Sequence, residues 1–319
     1  MTRRGLAGFA ARRLTWAAGC AALASVIAFV VFWTIPNVDP EYALGGGEKG
    51  TDETRAAARV AYGLDQSLPV QFIDLMRGIF TGRLECYSAC GNLREAFLER
   101  LPVTVWLVAG ALVLAAALAT TIALVCVRHH GRRLDRTLLG VAAALHSVPS
   151  LVLSVVLWTL LCERAELFPF DGYTPLTENP GRWAWHLALP WVAAALPLAG
   201  AYVPVLRAGL LEVRSADWVR TARAKGLSER AVVRRHVLRN ALATPVTILG
   251  LDASHAFGGF VLYIETVFGV PGIGALTEAS LVGLDLPAVV ALTVWLAIVV
   301  ALVNAGVDIV VASLDPRGR

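Results

Sequence analysis

Asp252 and His255 stand three residues apart in a stretch that carries no other charged side chain from Asn240 to Ile264. On a helix that spacing puts both on one face. A carboxylate beside an imidazole in apolar surroundings can line a path and meet a cation or a peptide amino group. It can equally close an internal hydrogen bond with His255 or a neighbouring helix. The spacing leaves both open. Ser254 beside His255 is no nucleophilic dyad, because adjacent helix positions point about 100° apart. No H-E-x-x-H run and no cluster of metal-ligating histidines or cysteines occurs, so no metal site is expected. A G-x-x-x-x-G-K-[ST] phosphate cradle is also missing, so the chain is not expected to bind or hydrolyse ATP itself. Cys86 and Cys90 lie together in a polar stretch, where an oxidising compartment would allow a short-range disulfide; spacing alone does not choose between that and two free thiols. Cys20, Cys126 and Cys162 are expected to be small apolar core residues.

The elements that position these groups follow from composition. The chain has 319 residues, of which 57% are hydrophobic and only 16% charged, with a mean hydropathy of +0.64. A soluble domain carries nearer a quarter charged residues. Six windows are almost free of charge: Leu14 to Val38, Leu101 to Val127, Thr137 to Cys162, Trp183 to Leu206, Asn240 to Ile264 and Leu286 to Val307. Each is longer than the roughly 20 residues that cross ~30 Å of hydrocarbon as a helix. Continuous rather than alternating hydrophobicity excludes a barrel. The chain therefore reads as an all-α integral membrane protein with six transmembrane helices. Arg3, Arg4, Arg12 and Arg13 before the first window suit a cleavable leader, but its apolar stretch is too long for one, so a retained anchor is expected.

Alternate loops differ in charge. The start through Arg13, Arg128 to Arg136, Arg207 to Arg239 and the tail together carry 19 Lys and Arg against 6 acids; the opposite set carries 9 against 17. The positive-inside rule puts the first set, with both termini, in the cytoplasm. The basic residues are spread over four segments without interleaved aromatics, which argues against nucleic acid. Residues 37–100 then form an extracytoplasmic segment, with helices expected over Thr51 to Tyr62 and, from Phe72, Leu75, Met76 and Ile79, over Leu68 to Phe80. Pro190, Pro197 and Pro204 recur at seven-residue steps along one face of the fourth window, and Pro149 interrupts the third. These are candidate hinges or fixed kinks.

Between the fourth and fifth windows, apolar residues keep helical spacing up to Ala224, Gly226 breaks the helix, and Ser228 can cap a second one through Val232, Val233, Val237 and Leu238. Such a basic helix pair could lie on the bilayer or grip another protein. The run DWVRTARAKGLS from Asp217 to Ser228, followed by HVLRNAL from His236 to Leu242, resembles the EAA-type cytoplasmic loop of ABC importer permeases of the oligopeptide, dipeptide and nickel transport family. Arg220, Thr221 and Ala222 stand where other branches have Glu-Ala-Ala, and the motif glycine falls on Gly226. ETVFGVPGIG from Glu265 to Gly274, DIVVASLDPR from Asp308 to Arg317, and GLDQSLP from Gly63 to Pro69 resemble the same family, the last its first, B-type permease. Asp252 stands where that family commonly has an uncharged amide, and the Cys86 to Cys90 region departs from its glycine-rich sequence.

The resemblance implies a type I ABC importer permease bundle in the cytoplasmic membrane, with an arm and first helix over 1–36, the outer segment over 37–100, and a core over 101–319 carrying a coupling loop at about 207–240. It implies a non-catalytic subunit that couples through Asp217, Arg220, Thr221, Ala222, Ala224, Lys225, Gly226 and Leu227. The implied partners are a second, different permease, two ABC ATPase subunits or domains that use ATP and Mg, and an extracytoplasmic solute-binding protein. A secondary transporter or channel driven by an ion gradient is the alternative; among its usual marks only Asp252 is present.

Overall fold

The structure, a computed structural model, describes residues 3–34, 50–61, 65–86, 91–169, 171–215, 250, 252–257, 259–283 and 285–314. Among these residues the regular structure is helical, with a single antiparallel bridge between Glu85 and Asn92. In chain order the helices are α1 (Arg3–Thr34), α2 (Asp52–Ala61), α3 (Leu68–Thr81), α4 (Leu93–Arg128), α5 (Arg133–Ser147), α6 (Ser150–Trp158, continued by a π-helical turn over Thr159–Arg164), α7 (Pro180–Ser215), α8 (Phe260–Val267), α9 (Ile273–Val282) and α10 (Leu286–Leu314).

Among the described residues, three helical stretches, Leu93–Arg128, Pro180–Glu212 and Leu286–Val307, are long and apolar enough to cross a membrane. The third window, expected as one span with a kink or hinge at Pro149, is a bent pair of helices: it divides into α5 and α6, which meet at 94°. The cause is local: Val148 precedes Pro149 and is extended at φ −82, ψ 122, as the proline ring requires of its neighbour. Each arm is 15 residues, about 22 Å at 1.5 Å per residue, so neither spans alone and the two together would make a fourth crossing. Of the fifth window, residues 240–249, 251 and 258 lie outside the described residues.

Asn92 starts α4, accepting from the amides of Arg94 and Glu95 while its own side-chain amide donates to the Gly82 carbonyl. Gly82, at φ +70, ends α3, so one asparagine ties two helix ends together. Asp285 caps α10 by accepting from the Ala288 amide at 3.1 Å. Along α4, Ala111, Ala115, Ala119 and Ala123 recur every fourth residue and are almost fully buried. Small residues at that step let helices approach closely where lipid supplies no hydrophobic drive. The last three of these alanines pack on Ala195, Ala199, Tyr202, Val203 and Leu206 of α7. Two contacts need glycine: a Cβ at Gly110 would overlap the Trp191 indole, and one at Gly200 would overlap the α5 backbone at Ala142 and His146.

At the other side of the bundle α10 packs on α1 and α9, and α3 lays Leu75 and Ile79 into a cluster with Phe29, Leu93, Phe97 and Leu292. Phe72 meets Phe29 edge to face at 5.3 Å. Large apolar side chains such as Val113, Val152, Val155, Val156 and Leu302 stay exposed. That is the surface expected of a bundle whose outer solvent is lipid or a partner helix.

Candidate translocation and coupling site

Near the end of α7 that approaches residues 216–249, Arg207 reaches across to α5. The guanidinium clasps Asp135 of α5 with both arms, Nε to Oδ1 at 2.8 Å and a terminal nitrogen to Oδ2 at 2.7 Å. Asp135 is 1% exposed, and its Oδ2 also accepts from the Gly131 amide at 3.0 Å. His130 Nδ1 lies 2.9 Å from the same Arg207 nitrogen. The planar fork fixes orientation as well as distance, which a lysine could not do. Breaking a buried pair by removing one partner costs about 3–5 kcal/mol, because the remaining charge is left uncompensated.

Halfway along the bundle, Asp252 accepts a hydrogen bond from the Tyr202 hydroxyl of α7, and its other oxygen lies 3.7 Å from His255 Nδ1. The Asp252 side chain is one-quarter exposed, and that of His255 is 79% exposed. The two residues share a face, as their spacing requires. Both readings of the pair keep support: one carboxylate oxygen is tethered internally, and the imidazole opens outward. Next to them Ser254 donates to Asn304 Oδ1 of α10 at 2.7 Å, joining the segment to the last helix.

Glu265, on α8, has no exposure at all. Its Oε1 accepts from the Thr104 hydroxyl of α4 at 2.6 Å, and its Oε2 accepts from the Gly274 and Ala275 amides at 2.7 and 3.2 Å. Thr104 in turn accepts from the Ile273 amide at 2.9 Å. A carboxylate and a hydroxyl thus satisfy the free amides at the start of α9, where the helix dipole favours negative charge. A Cβ at Gly272 would overlap the Glu265 carboxyl, and one at Gly274 would lie 2.5 Å from the Leu262 Cα, which explains the spacing of glycines in Pro271-Gly-Ile-Gly274. Beside this lock is a mainly apolar cavity of about 340 Å³, bounded by Thr104, Leu262, Thr277, Thr293, Leu296 and Val300 among others. Sequence reasoning singled out the Glu265 to Gly274 run but assigned Glu265 no role; a lone acid beside two glycines of a turn was the available signal.

The residues expected to couple to an ATPase, Asp217, Arg220, Thr221, Ala222, Ala224, Lys225, Gly226 and Leu227, all lie outside the described residues. Cys86 is disulfide-bonded, and Cys90 lies outside the described residues. Cys126 and Cys162 are buried, whereas Cys20, expected in the core, is exposed on α1. Pro149 sits at the 94° break; Pro190, Pro197 and Pro204 all lie within the single helix α7. Among the described residues no group of three metal-ligating side chains occurs.

A helical bundle with long apolar helices, a bent helix pair, exposed apolar side chains and polar locks between helices fits a multi-pass membrane protein. The chain belongs to the family described as binding-protein-dependent transport system inner membrane component, matched over residues 107–319, with the corresponding N-terminal family matched over 6–110. It is 30% identical to a probable peptide ABC transporter permease of Sinorhizobium fredii over 97% of this chain and 98% of the relative. To the dipeptide transport system permease DppB of Lactococcus lactis it is 31% identical over 81% of this chain and 83% of that one. To the probable D,D-dipeptide transport permease DdpB of Escherichia coli it is 31% identical over 92% of each. In fold it is similar to the MetNI methionine ABC transporter in inward-facing form, with a TM-score of 0.57 and 16% identity over 70% of this chain and 97% of that chain. Membership places the chain among the transport components of ABC importers, which work with an ATPase and a substrate-binding partner, and sets aside the gradient-driven alternative.

Proposed function

We propose that this chain is one of two different permease subunits of a peptide importer and that the segment around Gly226 is its mechanical link to an ATPase. Six spans put both termini and residues 207–240 in the cytoplasm and residues 37–100 outside. Two ABC ATPases using ATP and Mg bind from within, and a solute-binding protein delivers cargo from without. Closure of the ATPase pair displaces the helix pair that bends at Gly226, and the bundle carries that displacement to an opening between the permeases. Asp252 and His255 line the path, where a carboxylate can meet a peptide amino group.

One observation carries this reading. The run from Asp217 to Leu242, which resembles the EAA-type loop, begins ten residues after the arginine that clamps α7 to α5, within the region matched to the family. Peptides are chosen as cargo because three relatives carry peptide names at about 30% identity. The test is uptake of labelled dipeptides into vesicles holding the whole assembly. Uptake that needs ATP and the solute-binding protein supports the proposal; uptake that persists without ATPase subunits overturns it.

A further inference from the structure

α5 and α7 run antiparallel and touch at three matched heights. His146 Nδ1 lies 3.3 Å from the Pro197 carbonyl, Gly200 lies against the backbone at Ala142 and His146, and Arg207 clasps Asp135. Steps of three and seven on α7, and of four and seven on α5, keep all three on one stripe of each helix. Two of the contacts involve backbone atoms and admit little slip. The third is a bidentate pair at the end nearest residues 216–249. At the opposite end α5 leaves through extended Val148 into the 94° break. α5 is therefore fastened to α7 along its length and joined to α6 through a single non-helical residue and a proline.

We propose that Asp135 and Arg207 are a positioning pair that makes α5 and the adjoining half of α7 one rigid lever, so that displacement at residues 216–249 is delivered to the break at Pro149. This rests on the importer reading above. A force entering α7 at its end has two possible outcomes. With the clamp closed, α5 must follow and the angle at Val148 and Pro149 changes. With it open, α7 can slide or twist against α5, and the motion dissipates before the break. A bidentate pair resists the twist because both nitrogens must move together.

The experiment uses the full assembly in proteoliposomes, with the solute-binding protein saturated by a mixed dipeptide pool. Spin labels go at exposed Thr137 on α5 and exposed Ala208 on α7. In the unaltered chain the distance between them is expected to stay constant between the nucleotide-free and vanadate-trapped states. Asp135→Asn and Arg207→Lys are expected to retain bound ATPase and basal hydrolysis. They are also expected to lose about tenfold in stimulation by loaded binding protein, with the label distance now changing through the cycle. The double variant Asp135→Asn/Arg207→Lys is expected to be no worse than the more damaged single, as for two residues acting as a unit. Full stimulation and a constant distance in the single variants would overturn the lever, as would losses that multiply in the double variant. Failure of the unaltered chain to recruit any ATPase would instead overturn the importer reading, which separates the two claims.

Discussion

Asp252 and Glu265 are both carboxylates inside the bundle, and their surroundings assign them different work. Glu265 accepts three hydrogen bonds with no exposure, so it is a structural lock between α4, α8 and α9. Glu265→Gln would turn an amide group toward donors that need acceptors. It is expected to lower stability by about 1–3 kcal/mol, the cost of an unmet buried donor, read as an earlier midpoint of heat-induced loss of monodisperse protein in detergent. An unchanged midpoint would mean the lock does not hold α9. Asp252 keeps one oxygen on Tyr202 and leans toward an exposed imidazole. Asp252→Asn preserves the tyrosine bond through its amide oxygen but removes the charge. Uptake of cationic and uncharged dipeptides is therefore expected to change in ratio; identical uptake of both would end the pathway role. The i,i+3 pairing of Asp252 with His255 was legible in sequence because it is local. The partners Tyr202, Thr104 and Asp135 were not, since they lie 50, 161 and 72 residues from the groups they serve.

Elements with long unbroken apolar runs could be read directly. The second, fourth and sixth windows appear as parts of α4, α7 and α10, and the expected helices near Thr51 and Leu68 appear as α2 and α3. Hydropathy counts apolar residues but does not see backbone direction, so the third window hid a right-angled break. Pro149 was its only trace, and three prolines in α7 carry the same trace within an unbroken helix. The difference is local: α7 stays helical through all three prolines, packed against α4 and α5, whereas Val148 takes the extended backbone that a following proline favours. Helix approach gives a sharper test than helix length. Gly200→Val would drive a branched side chain into the α5 backbone and is expected to cost about 1–3 kcal/mol or more as overpacking, again read as thermal midpoint. Ala119→Leu tests the α4–α7 seam in the same way. If both substitutions are neutral, the close seams described here are wrong.

At the scale of the whole molecule, two features support the proposed link to an ATPase: a clamped helix leading into residues 216–249, and a sequence there that resembles a known coupling loop. The charge bias of the sequence supports the cytoplasmic side proposed for that segment, since residues 207–239 carry nine Lys and Arg. Gly226→Val puts a β-branched residue where the sequence predicts a turn between two helices and is expected to abolish stimulation of ATP hydrolysis by loaded binding protein while leaving the assembly intact. Full stimulation in that variant would remove Gly226 from the coupling role. The claim on which all else rests is contact between this loop and an ATPase, and it can be read directly by placing a photo-crosslinking residue at Ala222 in the assembled membrane. The account predicts an adduct with the ATPase subunit whose yield changes when ATP is trapped; an adduct formed only with lipid, in membranes where the ATPase is present, would contradict it.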